Sequence, residues 1–289
     1  MSDIERLKFF GDESFDGKRE RVAAVAGLFG TESEWSALEA AWVERTGGKE
    51  FHATTCETQY AHDPDQEKHR ENLKLYEDLT KIIANSGIRG YGSSFDLMSY
   101  RANFPNDDLE NGFLHGIGDV LKYCSRLALA ENKQVEFFFD NRQGKEYVVN
   151  LLFQSLRDQP FLKDKNVFYG TKINFDNRKN PRIQAADLTA REAMKFLDNY
   201  IGPVRRPHRA SLKTLANQRI QFVDEGPYFK DFREKLPEMA KRYGMDILEY
   251  DRWLSEHKLT DNHSNRLHYM RRLDEADPIK PDSVAETQI

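Results

Sequence analysis

The sequence predicts an α/β protein in which a mixed β-sheet is flanked by helices over residues 1–200, followed by a mostly helical C-terminal extension. Three observations carry this. Strand-like and helix-like segments alternate through the first 200 residues, the pattern of a sheet covered by helices. One run, QVEFFFD at 134–140, is apolar enough for a strand buried on both faces. The 289 residues include 19 Phe, 12 Tyr and 3 Trp, which argues against a disordered chain and supplies a core.

Residues 5–10 (ERLKFF) and 21–29 (RVAAVAGLF) read as two strands, and the polar, turn-rich link DESFDGKRE between them predicts a hairpin. In TESEWSALEAAWVERTGG, Thr31 and Glu34 have capping-box spacing, Trp35, Leu38 and Trp42 share a face, and Gly47 stops the helix. Residues 49–52 read as a short extended segment. A helix over 67–85 follows, with Leu73, Tyr76, Leu79 and Ile83 on one side and Gly87 after it. IRGYGSSFDL reads as a strand and 107–130 as a long helix leading into the Phe-rich strand. A helix over about 144–157, a strand in NVFYGTKINF and a helix over about 182–200 complete the alternation. GPVRRPH breaks that last helix. Leu212, Leu215, Phe229, Phe232, Leu236, Met239 and Tyr243 recur at helical spacing beyond it. The expected division is therefore 1–200 as the α/β domain, 201–273 as a helical region offering a dimer surface, and 274–289 as a solvated tail.

Composition narrows the class. Net charge is −5, and no run of about 18 apolar residues exists, so a membrane-spanning helix is not expected. The acidic start MSDIERLKFF lacks the basic and long apolar stretches of a signal peptide. Cys56 and Cys124 are too few for a disulfide scaffold or a four-thiolate zinc site. These readings predict a cytoplasmic protein. His52 and Cys56 stand four apart like half a zinc site, but no second pair follows. GIRGYG lacks the lysine and the spacing of a nucleotide cradle.

Several acidic residues fall where an open α/β sheet forms its ligand crevice, at strand ends. Asp12 and Glu13 follow the first strand, Asp140 ends the Phe-rich strand, Glu50 lies in KEFHA, and Asp187 occupies the first turns of a helix. Parallel neighbouring strands would bring Asp12 and Asp140 about 4.8 Å apart. Hard ions such as Mg²⁺ or Mn²⁺ take oxygen ligands, and a pair of them can drive phosphodiester hydrolysis. Gln184 and Asp187, three apart, share a helix face. Each residue also has a purely structural reading: Asp140 as a turn or cap, Asp12 in the hairpin turn, Asp187 paired with Arg191, Glu50 on the surface. The window 178–213 holds nine basic side chains, among them Arg178, Lys179, Arg182, Arg205, Arg206 and Arg209. Such a run is either a solvated face or a track for the phosphates of a nucleic acid beside an acidic metal site.

GDES (11–14), KEFHA (49–53), FFFD (137–140) and IQAADLTARE (183–192), in this order, resemble the family called domain of unknown function 3800. The resemblance spans about residues 7–200, and its most specific piece is the Q-x-A-D-L run at Gln184–Leu188. It implies a ribonuclease-H-like fold with acidic residues gathered on the central sheet. Several members are suspected nucleases or parts of phage defence, which extends the expectation to phage defence or mobile-element biology. Asp12, Glu50, Asp140, Gln184 and Asp187 match the family's motif positions, whereas Phe15 replaces the glycine that usually follows the first motif.

The leading expectation is a nuclease using Mg²⁺ or Mn²⁺, with Asp12, Asp140 and Asp187 as metal ligands and Glu50 as a fourth catalytic carboxylate. Glu13, His52 and Gln184 would support them, and Arg178, Lys179, Arg182, Arg205 and Arg206 would contact a nucleic acid. A homodimer or a partner protein is compatible with it. The alternative is a non-catalytic module that binds nucleic acid or protein on the same fold. A glycosidase ranks last, because it needs a sugar-stacking aromatic cleft and the aromatics fall mostly on core faces.

Overall fold

The computed structural model describes residues 5–64, 66–103, 112–141, 144, 146–158, 162, 167–202, 206–224 and 241. The chain divides into two compact units, Met1–Lys235 and Leu236–Ile289, and every described residue except 241 lies in the first. In chain order the elements are β1 (Arg6–Phe15), β2 (Val22–Gly30), α1 (Glu32–Thr46), α2 (Ala53–Thr58), α3 (Gln66–Asn85), β3 (Arg89–Asp96), α4 (Leu97–Asn103), α5 (Gly112–Ala130), β4 (Gln134–Asp140), α6 (Glu146–Arg157), β5 (Asn174–Asp176), α7 (Pro181–Ile201), α8 (Ala210–Ala216) and β6 (Ile220–Asp224).

Among the described residues the strands form one mixed sheet, ordered β5-β4-β1-β2-β3-β6. β1 and β2 pair antiparallel, as the hairpin reading expects, and β2 pairs antiparallel with β3. β4 joins β1 in parallel, β5 joins β4 in parallel, and β6 joins β3 in parallel. The β1–β2 turn is tied by one carboxylate. Asp16 accepts backbone N–H bonds from Lys18 (3.3 Å), Glu20 (2.9 Å), Arg21 (2.9 Å) and Val22 (3.1 Å).

Side-chain alternation gives each face of the sheet its own core. Phe9 meets Phe137 and Phe139, each at 5.5 Å between ring centroids, and Phe137 continues to Phe153 of α6. On the opposite face Phe10 stacks on Phe138 at 4.6 Å and meets Trp35 edge-on at 4.7 Å. That second face carries Trp35, Leu38 and Trp42 of α1, Tyr76, Leu79 and Ile83 of α3, and Ile183, Ala186 and Leu188 of α7. Burying each large side chain contributes on the order of 1.5–3 kcal/mol. α7 lies close on β2 and β3 because the facing residues are small. Ala24, Ala26, Ala190 and Ala193 share one cluster, and a Cβ on Gly92 would come within 2.9 Å of Ala193.

α1 matches its sequence reading, with Thr31 and Glu34 forming a reciprocal capping box and Gly47 left-handed at the C-cap. Elsewhere the structure departs from expectation. β1 runs to Phe15, so Asp12 and Glu13 sit inside the strand, where antiparallel pairing to Ala26 and Val25 of β2 outweighs their turn propensity. Residues 49–52 are irregular, and Leu73 is exposed. NVFYGTKINF contributes only two residues to the three-residue β5, together with an isolated bridge from Phe168 to Val135. The sheet continues past residue 200, the expected domain boundary, because Ile220–Asp224 adds a strand to β3 in a region read as helical. The helical spacing and dimer surface expected beyond 224 (residue 241 apart), and the tail at 274–289, lie outside the described residues. Among the described residues no helix is long and apolar enough to cross a membrane.

Candidate functional site

The register of β1 and β4 aligns Gly11 with Phe139, so the next residues, Asp12 and Asp140, stand side by side on parallel neighbours. They lie two residues after Phe10 and Phe138 and therefore share the sheet face that α7 covers. α7 brings the third acid. Asn180 caps it by accepting the Arg182 N–H at 2.9 Å, Pro181 occupies its first turn, and Asp187 follows within two turns. Asp12 and Asp187 are buried, at 4% and 8% exposure.

The three carboxylates act on one another. Burial first, then the charges of Glu13, Asp187 and Asp140, hold the Asp12 carboxyl well above its usual value, although the Glu13 N–H donates to it at 2.8 Å. Burial also raises Asp187, against the opposing pull of His52, the Ala53 N–H and Arg178. Asp187 Oδ2 accepts that N–H at 2.7 Å. Asp140 Oδ2 accepts from Arg178 Nε at 3.2 Å. Arg178 carries positive charge toward all three: burial works against its ionisation, but Asp140, Asp12 and Asp187 overcome it.

An all-carboxylate donor set suits a hard divalent ion, and crowding three acids with little water is the circumstance such an ion relieves. The present arrangement is nevertheless open. Among the described residues no group of three His, Cys, Asp or Glu side chains is placed to hold a metal ion. Each acid is engaged instead by a local donor, namely Glu13 N–H, Arg178 and Ala53 N–H.

The supporting residues divide. His52 caps α2, accepting the Thr55 N–H on Nδ1 at 3.3 Å, and its ring is near enough to Asp187 to favour that carboxylate's charged form. It builds no zinc pair with Cys56, whose buried thiol donates to the Asn72 carbonyl at 3.1 Å. Gln184 is buried and does not reach into the cluster as a ligand. Its Oε1 accepts from Trp42 Nε1 at 2.9 Å and its Nε2 donates to the Arg178 carbonyl at 2.7 Å. Glu50 is exposed on the segment leading to His52 and makes no hydrogen bond or ion pair among the described residues. Glu13 lies half-buried beside Asp12, its charge acting directly on that carboxyl.

The basic window is largely neutralised from within. Arg182 binds Glu32 at 2.7 Å and Glu39 at 3.0 Å and lies over Phe10 and Trp35. Arg191 pairs with Glu57 at 2.7 Å, not with Asp187. Lys195 and Arg206 both pair with Asp198, and Arg209 pairs with Glu57 and with Glu192. Arg182 and Arg206, expected as substrate contacts, are thus held by internal carboxylates, Arg206 with its side chain half exposed. Lys179 is exposed, and Arg205 lies outside the described residues. Trp35 and Trp42 are fully buried, so neither lines a sugar-stacking cleft.

Sequence reasoning missed two contributors. Asp176 pairs with Asp140 in register and ties the following turn, accepting from Asn177 N–H at 2.8 Å and Asn180 Nδ2 at 2.6 Å. The Asn-rich run DNRKN was its available signal. Trp42, read only as core, anchors Gln184.

No family model and no curated protein matches the sequence. Among solved structures, the chain is similar to one in the structure of the PCNA:RNase HII complex from Archaeoglobus fulgidus. That match has 13% identity and a TM-score of 0.36, and covers 73% of this chain and 87% of that one.

Proposed function

We propose that this protein is a divalent-metal-dependent nuclease of the domain of unknown function 3800 family, on a ribonuclease-H-like sheet, and that it serves in phage defence or mobile-element biology. The observation that supports it is the meeting of Asp12, Asp140 and Asp187 from β1, β4 and α7 on one sheet face, with Asp140 at the end of β4, where α/β folds bind ligands, and Asp12 beside it within β1. Mg²⁺ or Mn²⁺ bound there would activate water and stabilise the leaving oxygen of a phosphodiester. Asp12 and Asp187 would supply buried oxygens and Asp140 a more open one. Glu50 would add negative charge from the exposed segment before His52, and Glu13 would add it from the opposite face of β1. His52, fixed by its cap bond, would face the leaving group from beside Asp187. Among the described residues of the window, Arg178, Lys179 and Lys213 are left to meet phosphate. A cytoplasmic setting accords with two buried free thiols.

The binding-module reading drew on the basic window, in which Arg182, Arg206 and Arg209 are engaged by internal carboxylates. Cleavage of single- and double-stranded DNA and RNA in Mg²⁺ tests the proposal. We expect cleavage by the wild-type protein and loss of at least about 100-fold in Asp12→Asn and in Asp140→Asn, both folded. Full Mg²⁺-dependent cleavage by both variants would overturn it.

A further inference from the structure

The turn between β5 and α7 is fixed through its backbone and its asparagine side chains, while the Arg178 and Lys179 side chains are exposed. Asp176 accepts from Asn177 N–H and Asn180 Nδ2, Asn177 Oδ1 accepts the Lys179 N–H at 3.0 Å, and Asn180 Oδ1 accepts the Arg182 N–H at 2.9 Å. The Arg178 carbonyl is held by Gln184 Nε2 at 2.7 Å, and Gln184 is held in turn by the Trp42 indole at 2.9 Å. The Arg178 side chain, by contrast, is half exposed, and its guanidinium rests on Asp140, the least buried of the three acids. A fixed backbone with a free arm delivers the charge to one place and lets it leave.

We propose that Arg178 is the internal counter-cation of the carboxylate cluster, displaced from Asp140 when a divalent ion binds, and that Gln184 and Trp42 are the positioning residues that hold it there. This rests on the metal-site reading above. With the guanidinium on Asp140 Oδ2, that carboxylate offers a cation beside Asp12 and Asp187 only its other oxygen, and displacement of Arg178 frees both. The Gln of the Q-x-A-D-L run then has a function distinct from ligation, since it sets the Arg178 backbone while Asp187, three residues on, faces the cluster.

Calorimetric titration of Mn²⁺ alone, without nucleic acid, tests this. An exposed ion pair is worth up to about 1 kcal/mol, so Arg178→Gln should bind Mn²⁺ about three- to fivefold more tightly than wild type. Lys179→Gln removes an equal charge one residue away and should change affinity less than about twofold. Gln184→Met should tighten binding in the wild-type background and have no further effect once Arg178→Gln is present. Trp42→Phe, which keeps the packed ring and loses the N–H, replaces Gln184→Met if that variant does not fold. Weaker or unchanged binding in Arg178→Gln, or equal effects at 178 and 179, would overturn the counter-cation. Additive effects at 178 and 184 would overturn the positioning. If wild type binds Mn²⁺, Asp12→Asn does not, and Arg178→Gln is unchanged, this inference falls and the metal site stands. No binding by wild type or Arg178→Gln would overturn both.

Discussion

The Ala53 backbone N–H donates to Asp187 Oδ2 at 2.7 Å across 134 residues of sequence. This bond joins the start of α2 to the second turn of the buried helix α7 and sets His52 beside the carboxylate. It also separates the structural contribution of Asp187 from any chemical one. An Asn at 187 keeps an oxygen for the Ala53 N–H, whereas Ala leaves a buried donor unpaired. We expect Asp187→Ala to lose about 1–3 kcal/mol in urea denaturation and Asp187→Asn to lose clearly less. Both should lose Mn²⁺ binding. Equal destabilisation by the two would show that the bond does not hold the α2 start.

The β1–β2 turn predicts a pH dependence remote from the cluster. Burial alone would raise the Asp16 carboxyl, but four backbone N–H donors outweigh it and hold the group below its ordinary value of 3.8. A lowered folded value means that the ionised form stabilises the fold above about pH 4 and that this contribution disappears as pH falls through the lower folded value. Asp16→Ala should therefore cost about 1.5–3 kcal/mol at pH 7, with the gap to wild type narrowing below pH 4. Urea denaturation at pH 7 and pH 3 measures it, and a gap that widens on acidification would contradict the assignment.

Arg206 tests the fate of the basic window. It pairs with the buried Asp198 at 3.2 Å, alongside Arg21 at 2.7 Å and Lys195 at 3.4 Å. Since Arg21 and Lys195 remain, Arg206→Ala should cost at most about 1 kcal/mol. Its affinity for an oligonucleotide in fluorescence polarisation should stay within about twofold of wild type. A tenfold loss of binding would restore Arg206 as a phosphate contact and favour the binding module.

Burial governs both cysteines. It pushes the Cys56 thiol up to about 11, helped by the Glu57 charge, and raises Cys124 further. Both should resist iodoacetamide at pH 7.5 in the native protein and react fully in denaturant, since the thiolate is the reactive form. Native mass spectrometry after labelling reads this directly. Rapid labelling of Cys56 would contradict its placement against the Asn72 carbonyl.

Much of the site was legible because its signals are local. The capping box at Thr31 and Glu34, the left-handed Gly47 and the Phe-rich strand ending in Asp140 each carry their structural reason within a few residues. The length of β1 was hidden because Asp12, Glu13 and Ser14 have turn composition, and only the pairing to β2 keeps them extended. β6 was missed for a similar reason, its pairing to β3 joining residues more than 120 apart. The arginines were legible as charge and illegible as partners. Arg182 finds Glu32 and Glu39, and Arg191 finds Glu57, through folding alone. Gln184 and Asp187 share a helix face as their spacing predicts, yet one binds Trp42 and the Arg178 carbonyl while the other binds Ala53.

The central claim is that Asp12 and Asp140 help hold a divalent ion, and calorimetric titration of Mn²⁺ into wild type and into the Asp12→Asn, Asp140→Asn double variant tests it without choosing a substrate. The account predicts saturable binding by wild type that is lost in the double variant, with both proteins folded by circular dichroism. Equal binding by the two would contradict it and remove these carboxylates from the metal site.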